Sequence, residues 1–167
     1  YGSEFGGVSY PFDRRDNQLP YQPAVQTKDN RFLQVMGPNF GIYYPLILKA
    51  IDREDVLSDP VLGNQKEMIR TGRVGEAYDV IQAGFKAKTA KEWEPILTEL
   101  DIPFALCQTY DEVVNDEQAW ANDVFCKVDY PRGEKAMVRP PIDFADTPLP
   151  PYEKAPLLGA DTVAVLS

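Results

Sequence analysis

Residues 88–114 read KTAKEWEPILTELDIPFALCQTYDEVV, and their reading decides the fold. Thr89 followed by Glu92 is a capping box, in which each residue's side chain satisfies the other's orphan backbone N–H. Trp93, Ile96, Leu97 and Leu100 then recur at helical spacing, which predicts an amphipathic helix with one buried stripe. Pro95 falls in its early, better tolerated half. Asp101-Ile102-Pro103 marks a helix-to-strand turn, and Phe104–Gln108 is a short, mostly apolar strand. Thr109 and Glu112 repeat the capping box ahead of Val113 and Val114. Asp116 caps a further short helix containing Trp120.

Upstream, residues 1–20 carry Tyr1, Phe5, Tyr10 and Phe12, with Tyr21 close behind, at no regular period. They predict an irregular extended arm whose aromatics pack on something, the domain's own core being the plainest surface. Ala24–Thr27 and Phe32–Met36 read as strands joined by the turn Lys28-Asp29-Asn30-Arg31. Within the second strand Leu33 and Val35 occupy the more deeply buried face. Phe40, Tyr44, Ile47, Leu48 and Ile51 follow helical spacing behind Asn39 as N-cap, with Pro45 tolerable if the helix starts near Tyr43–Tyr44. A short helical turn then runs to Pro60 and Gly63. Residues 64–86 show one more amphipathic pattern, with Val74, Ala77, Tyr78, Ile81 and Phe85 on the apolar side and Gly72, Gly75 and Gly84 weakening it.

Downstream, Phe125–Tyr130 and Ala136–Arg139 form a β-hairpin across Pro131-Arg132-Gly133-Glu134. A proline-rich strap, 140–156, leads to Asp161 and Thr162, which read as a helix N-cap. Strands and helices are segregated rather than alternating. The expected class is therefore α+β: a small antiparallel or mixed sheet with several helices on one side, flanked by extended arms, and not a doubly wound fold.

The chain has 167 residues, 44% of them hydrophobic, enough for one domain with a real core. Its net charge of −9 argues against a nucleic-acid partner, which needs a clustered basic face. No apolar run is long enough to span a membrane. Cys107 and Cys126 allow one disulfide by arithmetic, but two buried free thiols in a reducing cytoplasm are the expectation. The opening shows neither an initiator Met nor a secretory leader, from which a fragment, processed product or excised domain is expected.

Histidine is absent from the sequence. This removes Ser–His and Cys–His nucleophile pairs, His general bases and His metal ligands. The other candidates have plainer readings. GSEFGG, residues 2–7, follows no strand and lacks the Lys–Ser/Thr pair of a phosphate loop. DREDVLSD and NDEQAWAND do not follow the calcium-loop pattern and read as solvated helix ends. Cys107 has no adjoining base and reads as an inert thiol. KAPLLGADT offers backbone N–H groups to an anion, with ordinary capping as the plain reading. No catalytic, cofactor-binding or metal-binding residue is assigned.

Several stretches in order resemble the second half of a family III CoA-transferase, the CaiB/BaiF group. QTKDNRFLQVMGPN is similar to its "Asp-Gly-x-hydrophobic" hairpin, with Asn30 where Gly is usual. YYPLILKAIDREDVLSDP resembles a helix followed by "Gly-Arg-x-Asp-Leu-x-x-Asp-Pro", with Asp52 in place of the Gly. The opening stretch, extended through AWAND, resembles the family's Glu-Trp, Ile-Pro and Asp-Pro-Gln run, and APLLGADTVAVL its "Ala-Pro-x-Leu-Gly-x-His-Thr", with Asp161 at the His. The resemblance implies a subunit with a large Rossmann-like domain and a small α+β domain, two subunits interlocking as a dimer. It implies that the catalytic aspartate and most CoA contacts belong to the other half.

On that resemblance, residues 1–21 are an arm leading in from a large domain. Residues 22–139 are the small domain, and 140–167 the strap and the start of a returning helix. The family's glycine-rich loop over the active site is not reproduced in this sequence, and GSEFGG and RRDNQLPY, residues 14–21, are candidates for a place near substrate. The implied function is a CoA-transferase moving CoA between carboxylic acids, of the 2-hydroxyacyl or bile-acid type, with this chain inactive alone. The alternatives are an α-methylacyl-CoA racemase, a non-catalytic interaction module, and a subunit of a split enzyme. The chain itself binds no cofactor on this reading. CoA thioester is the full protein's substrate, the partner is the large domain or a second subunit, and the location is the cytoplasm. Residues 160–167 are expected to fray or to borrow contacts.

Overall fold

The computed structural model describes residues 13–142, 144–147 and 152–167. The arm aromatics Tyr1, Phe5, Tyr10 and Phe12, the GSEFGG stretch and part of the strap lie outside the described residues. The chain divides into two compact units, Tyr1–Cys107 and Gln108–Ser167. The class is α+β, and its strands are antiparallel throughout the described residues.

The first unit is built on a three-stranded sheet in the order β1 (Val25–Gln26), β2 (Phe32–Val35), β3 (Phe104–Leu106). Leu33 pairs with Val25 on one side and Leu106 on the other, and Val35 pairs with Phe104. Val25, Leu33 and Val35 are buried, as alternation predicts. The strands are shorter than the sequence implies because Thr27 and Met36 already bond outside the ladder. The Thr27 N–H donates to the Arg31 carbonyl across the turn, and that of Met36 to the Pro103 carbonyl. Asn30 takes φ +60°, which explains how it serves where glycine is usual: its short polar side chain tolerates the left-handed region.

Four α-helices share one core with this sheet: α1 (Phe40–Ala50), α2 (Gln65–Thr71), α3 (Val74–Phe85) and α4 (Ala90–Glu99). α1 starts at Phe40, so Pro45 lies inside it, and Asn39 holds the cap position without a side-chain bond. The pattern over 64–86 is two helices. Asn64 caps α2 through the N–H groups of Lys66 and Glu67, and Gly72 ends it at φ +69°. The Arg73 N–H then reaches back to the Met68 carbonyl, a Schellman closure that only a residue at ease with positive φ permits. Val74, Ala77, Tyr78, Ile81 and Phe85 are all buried, so α3 presents the predicted face. Gly84 sits within α3 because a Cβ there would stand 2.6 Å from the Ile51 Cβ.

The capping box of α4 forms as predicted, and Pro95 lies within the helix. Trp93 is fully buried, tilts on Phe85 at 4.7 Å between centroids, and donates from Nε1 to the Phe85 carbonyl at 2.9 Å. Asp29 in the β1–β2 turn accepts from the Ala90 N–H at 3.1 Å, and the Lys28 N–H donates to the Lys88 carbonyl. The sheet's turn is thereby latched to the start of α4. Tyr21 of the arm enters the core. It stacks at 6.4 Å on Tyr44 and donates its hydroxyl to the Gly37 carbonyl.

The second unit holds α5 (Tyr110–Val114), α6 (Glu117–Ala121) and the hairpin β4 (Phe125–Tyr130) and β5 (Gly133–Val138). The Thr109–Glu112 capping box and the Asp116 cap both form. β5 begins at Gly133, three residues earlier than the sequence implies. Pro131 cannot supply the positive φ of the usual tight hairpin turns, so the chain turns over Pro131-Arg132 and Gly133 takes φ +102° opposite Tyr130. α7 (Thr162–Leu166) follows the strap. Asp161 precedes it without a side-chain capping bond, and Val163, Val165 and Leu166 are exposed.

Candidate functional site

The stretch RRDNQLPY separates its two arginines. Asp13 caps a 3-10 turn, Arg14–Asp16, by accepting from the Arg15 N–H at 2.9 Å. Arg15 reaches α3 and pairs with Asp79 at 2.6 Å. Arg14 instead stands over the Phe32 ring at 5.2 Å from its centroid and donates to the Ala24 carbonyl at 3.5 Å. Beside it opens a cavity of about 410 Å³, lined by Arg14, Asn17, Gln22, Pro23, Ala24, Gln34 and Met36. Gln34 is committed to the wall, its amide donating to the carbonyls of Gln22 and Val35. Asn17 accepts from the Leu19 N–H through Oδ1. This cavity mixes one cation, three amides and an apolar edge, an arrangement suited to a small anion with polar and apolar substituents.

Other sequence candidates have structural work. Asp59, from the first acidic run, accepts from the Val61 and Leu62 N–H groups, which hold its carboxyl below the usual range, Leu62 most strongly. Asp55 pairs with Arg53, whose hydrogen bonds lower it likewise. In the second run Asp116 caps α6, and Asp123 takes φ +54° and pairs with Arg139 at 3.5 Å. Asp101 takes φ +52° between α4 and β3, the expected turn role. Among the described residues no cluster of His, Cys, Asp or Glu is arranged to hold a metal ion. Cys107 and Cys126 are free thiols, but neither is buried: Cys107 is exposed at the end of β3 and Cys126 half-buried in β4. This exposure corrects the expectation of two buried thiols: Cys107 follows the last residue of β3, and Cys126 lies in a two-stranded hairpin.

Three features were not legible in the sequence. Tyr44 is buried with no partner for its hydroxyl among the described residues. Burial, then the Asp59 charge, pushes it up to about 12. A second cavity of about 340 Å³ lies at the hairpin turn against Tyr130, Pro131, Arg132, Lys135 and Met137. The cavity at Arg14 needs the arm folded back on β2, which no local pattern signals. No helix among the described residues is long and apolar enough to cross a membrane.

Known proteins resemble this chain in sequence and in fold. The chain is 38% identical over 161 residues to a cinnamoyl-CoA:phenyllactate CoA-transferase of Clostridium sporogenes, covering 96% of this chain and 39% of that protein. It is 30% identical over 167 residues to an (R)-2-hydroxy-4-methylpentanoate CoA-transferase of Clostridioides difficile, covering 99% of this chain and 40% of that one. The chain thus spans about two-fifths of the length of these curated relatives. The fold recurs in a CAIB/BAIF family protein from Brucella suis, with a TM-score of 0.62 at 18% identity, over 90% of this chain and 38% of that one. It recurs in Rv3272 from Mycobacterium tuberculosis, with a TM-score of 0.61 at 20% identity, over 84% of this chain and 38% of that one. The description of CoA-transferase family III matches residues 4–162, nearly the whole sequence, and with that the ordered resemblances and the α+β fold have one source: the chain belongs to CoA-transferase family III.

Proposed function

We propose that the whole protein transfers CoA from an acyl-CoA to a free 2-hydroxy acid. The observation that carries this reading is the 38% identity, over 96% of the chain, to a transferase whose named acid is phenyllactate. A relative named for (R)-2-hydroxy-4-methylpentanoate supports the same acid class. The net reaction breaks the thioester C–S bond of one acid and makes it on the other. A carboxylate is consumed, a carboxylate is released, and no oxidant, reductant or metal enters the balance. A sequence without histidine is compatible with such chemistry, because the carboxylates can serve as nucleophile and leaving group.

In this reading the present chain shapes the acid's surroundings and holds the assembly. The aspartate that the family resemblance implies as nucleophile lies outside it, so the chain alone is inactive. Its partner is the large domain or a second subunit of an interlocked homodimer, and the exposed apolar residues Val138, Ile142, Phe144, Leu158 and Val165 supply surface for such contact. The protein works in the cytoplasm, where CoA thioesters are at hand.

The test is to supply cinnamoyl-CoA and phenyllactate to the whole protein and, separately, to this chain. The whole protein should release cinnamate and form phenyllactyl-CoA, while the chain alone leaves the thioester intact. An intact thioester with the whole protein, or epimerisation of an acyl-CoA without exchange, would overturn the reading.

A further inference from the structure

Arg15, Arg53, Arg70, Arg73 and Arg139 all stand in ion pairs with carboxylates. Arg14 has no carboxylate partner among the described residues, although the chain carries 26 acidic residues against 17 basic ones. Its guanidinium has five N–H donors, and one long bond to the Ala24 carbonyl leaves most of them unused. The Phe32 ring nevertheless fixes where the cation stands. An arginine held in place on a cavity wall, with no carboxylate of the described residues reaching it, is arranged for an anion from outside.

The rest of the lining narrows the anion. The side-chain amide of Gln22 has no hydrogen-bond partner among the described residues and offers both a donor and an acceptor. Asn17 keeps its amide N–H groups free, since only its oxygen is engaged. Met36, 52% exposed, and Pro23 provide an apolar edge. A carboxylate matches the planar fork of Arg14, a neighbouring hydroxyl matches an amide able both to give and to accept, and a hydrocarbon substituent matches Met36.

From this geometry we infer that the Arg14 cavity seats the incoming 2-hydroxy acid. Arg14 binds its carboxylate, Gln22 reads its 2-hydroxyl, and Met36 with Pro23 receives the start of its side chain. Arg14 and Gln22 are binding residues that set acid specificity. The inference rests on the CoA-transfer reading for its choice of ligand, but the cavity can be tested without turnover.

Titration of the isotopically labelled chain with phenyllactate should shift the Arg14 Nε–H and Gln22 side-chain amide resonances. R14Q should weaken binding about tenfold or more, the scale of a lost charge-assisted hydrogen bond. Q22L should weaken phenyllactate severalfold while leaving 3-phenylpropionate, which lacks the hydroxyl, unchanged. Inorganic phosphate should bind more weakly than phenyllactate; a phosphate preference would overturn the acid assignment. Because Arg14 is exposed, R14Q should keep the wild-type melting temperature. If it does not, Q22L decides the matter alone.

Absence of shifts at Arg14 and Gln22, or equal affinity in both variants, overturns the site. In the whole protein, exchange with an unchanged KM for the acid in R14Q and Q22L would sink the site and leave the CoA-transfer reading standing. Binding of phenyllactate at Arg14 without any exchange by the whole protein would do the reverse.

Discussion

Trp93 and Trp120 hold comparable positions in the two units. Each tilts on a phenylalanine, Phe85 at 4.7 Å and Phe125 at 5.5 Å, and each donates its indole N–H to a nearby backbone carbonyl. Trp93 is nonetheless fully buried in a continuous core running from Tyr21 to Ile102, while Trp120 is half-buried against Phe125, which with Val128 makes up the buried apolar set among the described residues of its unit. The same aromatic pair thus closes a core in one unit and rests on a thin one in the other. The first unit is held by apolar burial, and the second by caps, a hairpin ladder and surface ion pairs. Hydrogen bonds and exposed ion pairs contribute little net stability each, so the second unit depends more on what it meets.

The largest test of this contrast is Trp93→Ala, which should cost about 3–5 kcal/mol in urea unfolding. Trp120→Ala should cost about 1–2 kcal/mol, in proportion to its smaller burial. Equal costs would break the comparison. Gly84→Ala should cost about 1–3 kcal/mol despite alanine's better helix propensity, because the new Cβ meets Ile51. The two capping boxes sharpen the point: Thr89→Ala and Thr109→Ala each remove about 1 kcal/mol locally. The first should lower the unfolding midpoint of the core, and the second should speed amide exchange over 110–114 alone.

Acid should act on the first unit through defined groups. Asp29 lies below the usual carboxylate range through the Thr27 hydroxyl first and the Ala90 N–H besides, and Glu92 through the Thr89 N–H and then its hydroxyl. Their folded values fall below the unfolded ones, so the stability they contribute is complete above about pH 5 and fades as pH falls through the folded values. Asp29→Asn should lower stability at neutral pH and flatten this acid limb, as followed by pH-dependent denaturation. Smallest of all, Val163→Ser on exposed α7 should shift the chain's stability by no more than about 0.5 kcal/mol.

What the sequence made legible was local. Thr89 with Glu92, Thr109 with Glu112, and Asp116 are signals contained within four residues, and each forms as read. The alternation of Leu33 and Val35 and the face of α3 were legible because burial leaves a period. Gly72 was misread as a weakness because propensity treats glycine as a cost, while a Schellman closure needs it. Tyr21 entering the core, and Arg14 settling over Phe32 rather than finding a carboxylate, depend on the arm's return across the sheet. Such contacts join distant residues and leave no periodic trace.

The pairing of β2 with β3 has a kinetic consequence. Leu33 meets Leu106, and all four helices of the first unit lie between them in the chain. Closing so long a loop costs entropy before the ladder returns anything. The hairpin turn at Asn30 and the capped start of α4 can form early, since each is local, but Val35 cannot be sealed until Phe104 has arrived. Refolding should therefore show helix signal ahead of the sheet, with the slow phase set by the capture of one three-residue strand.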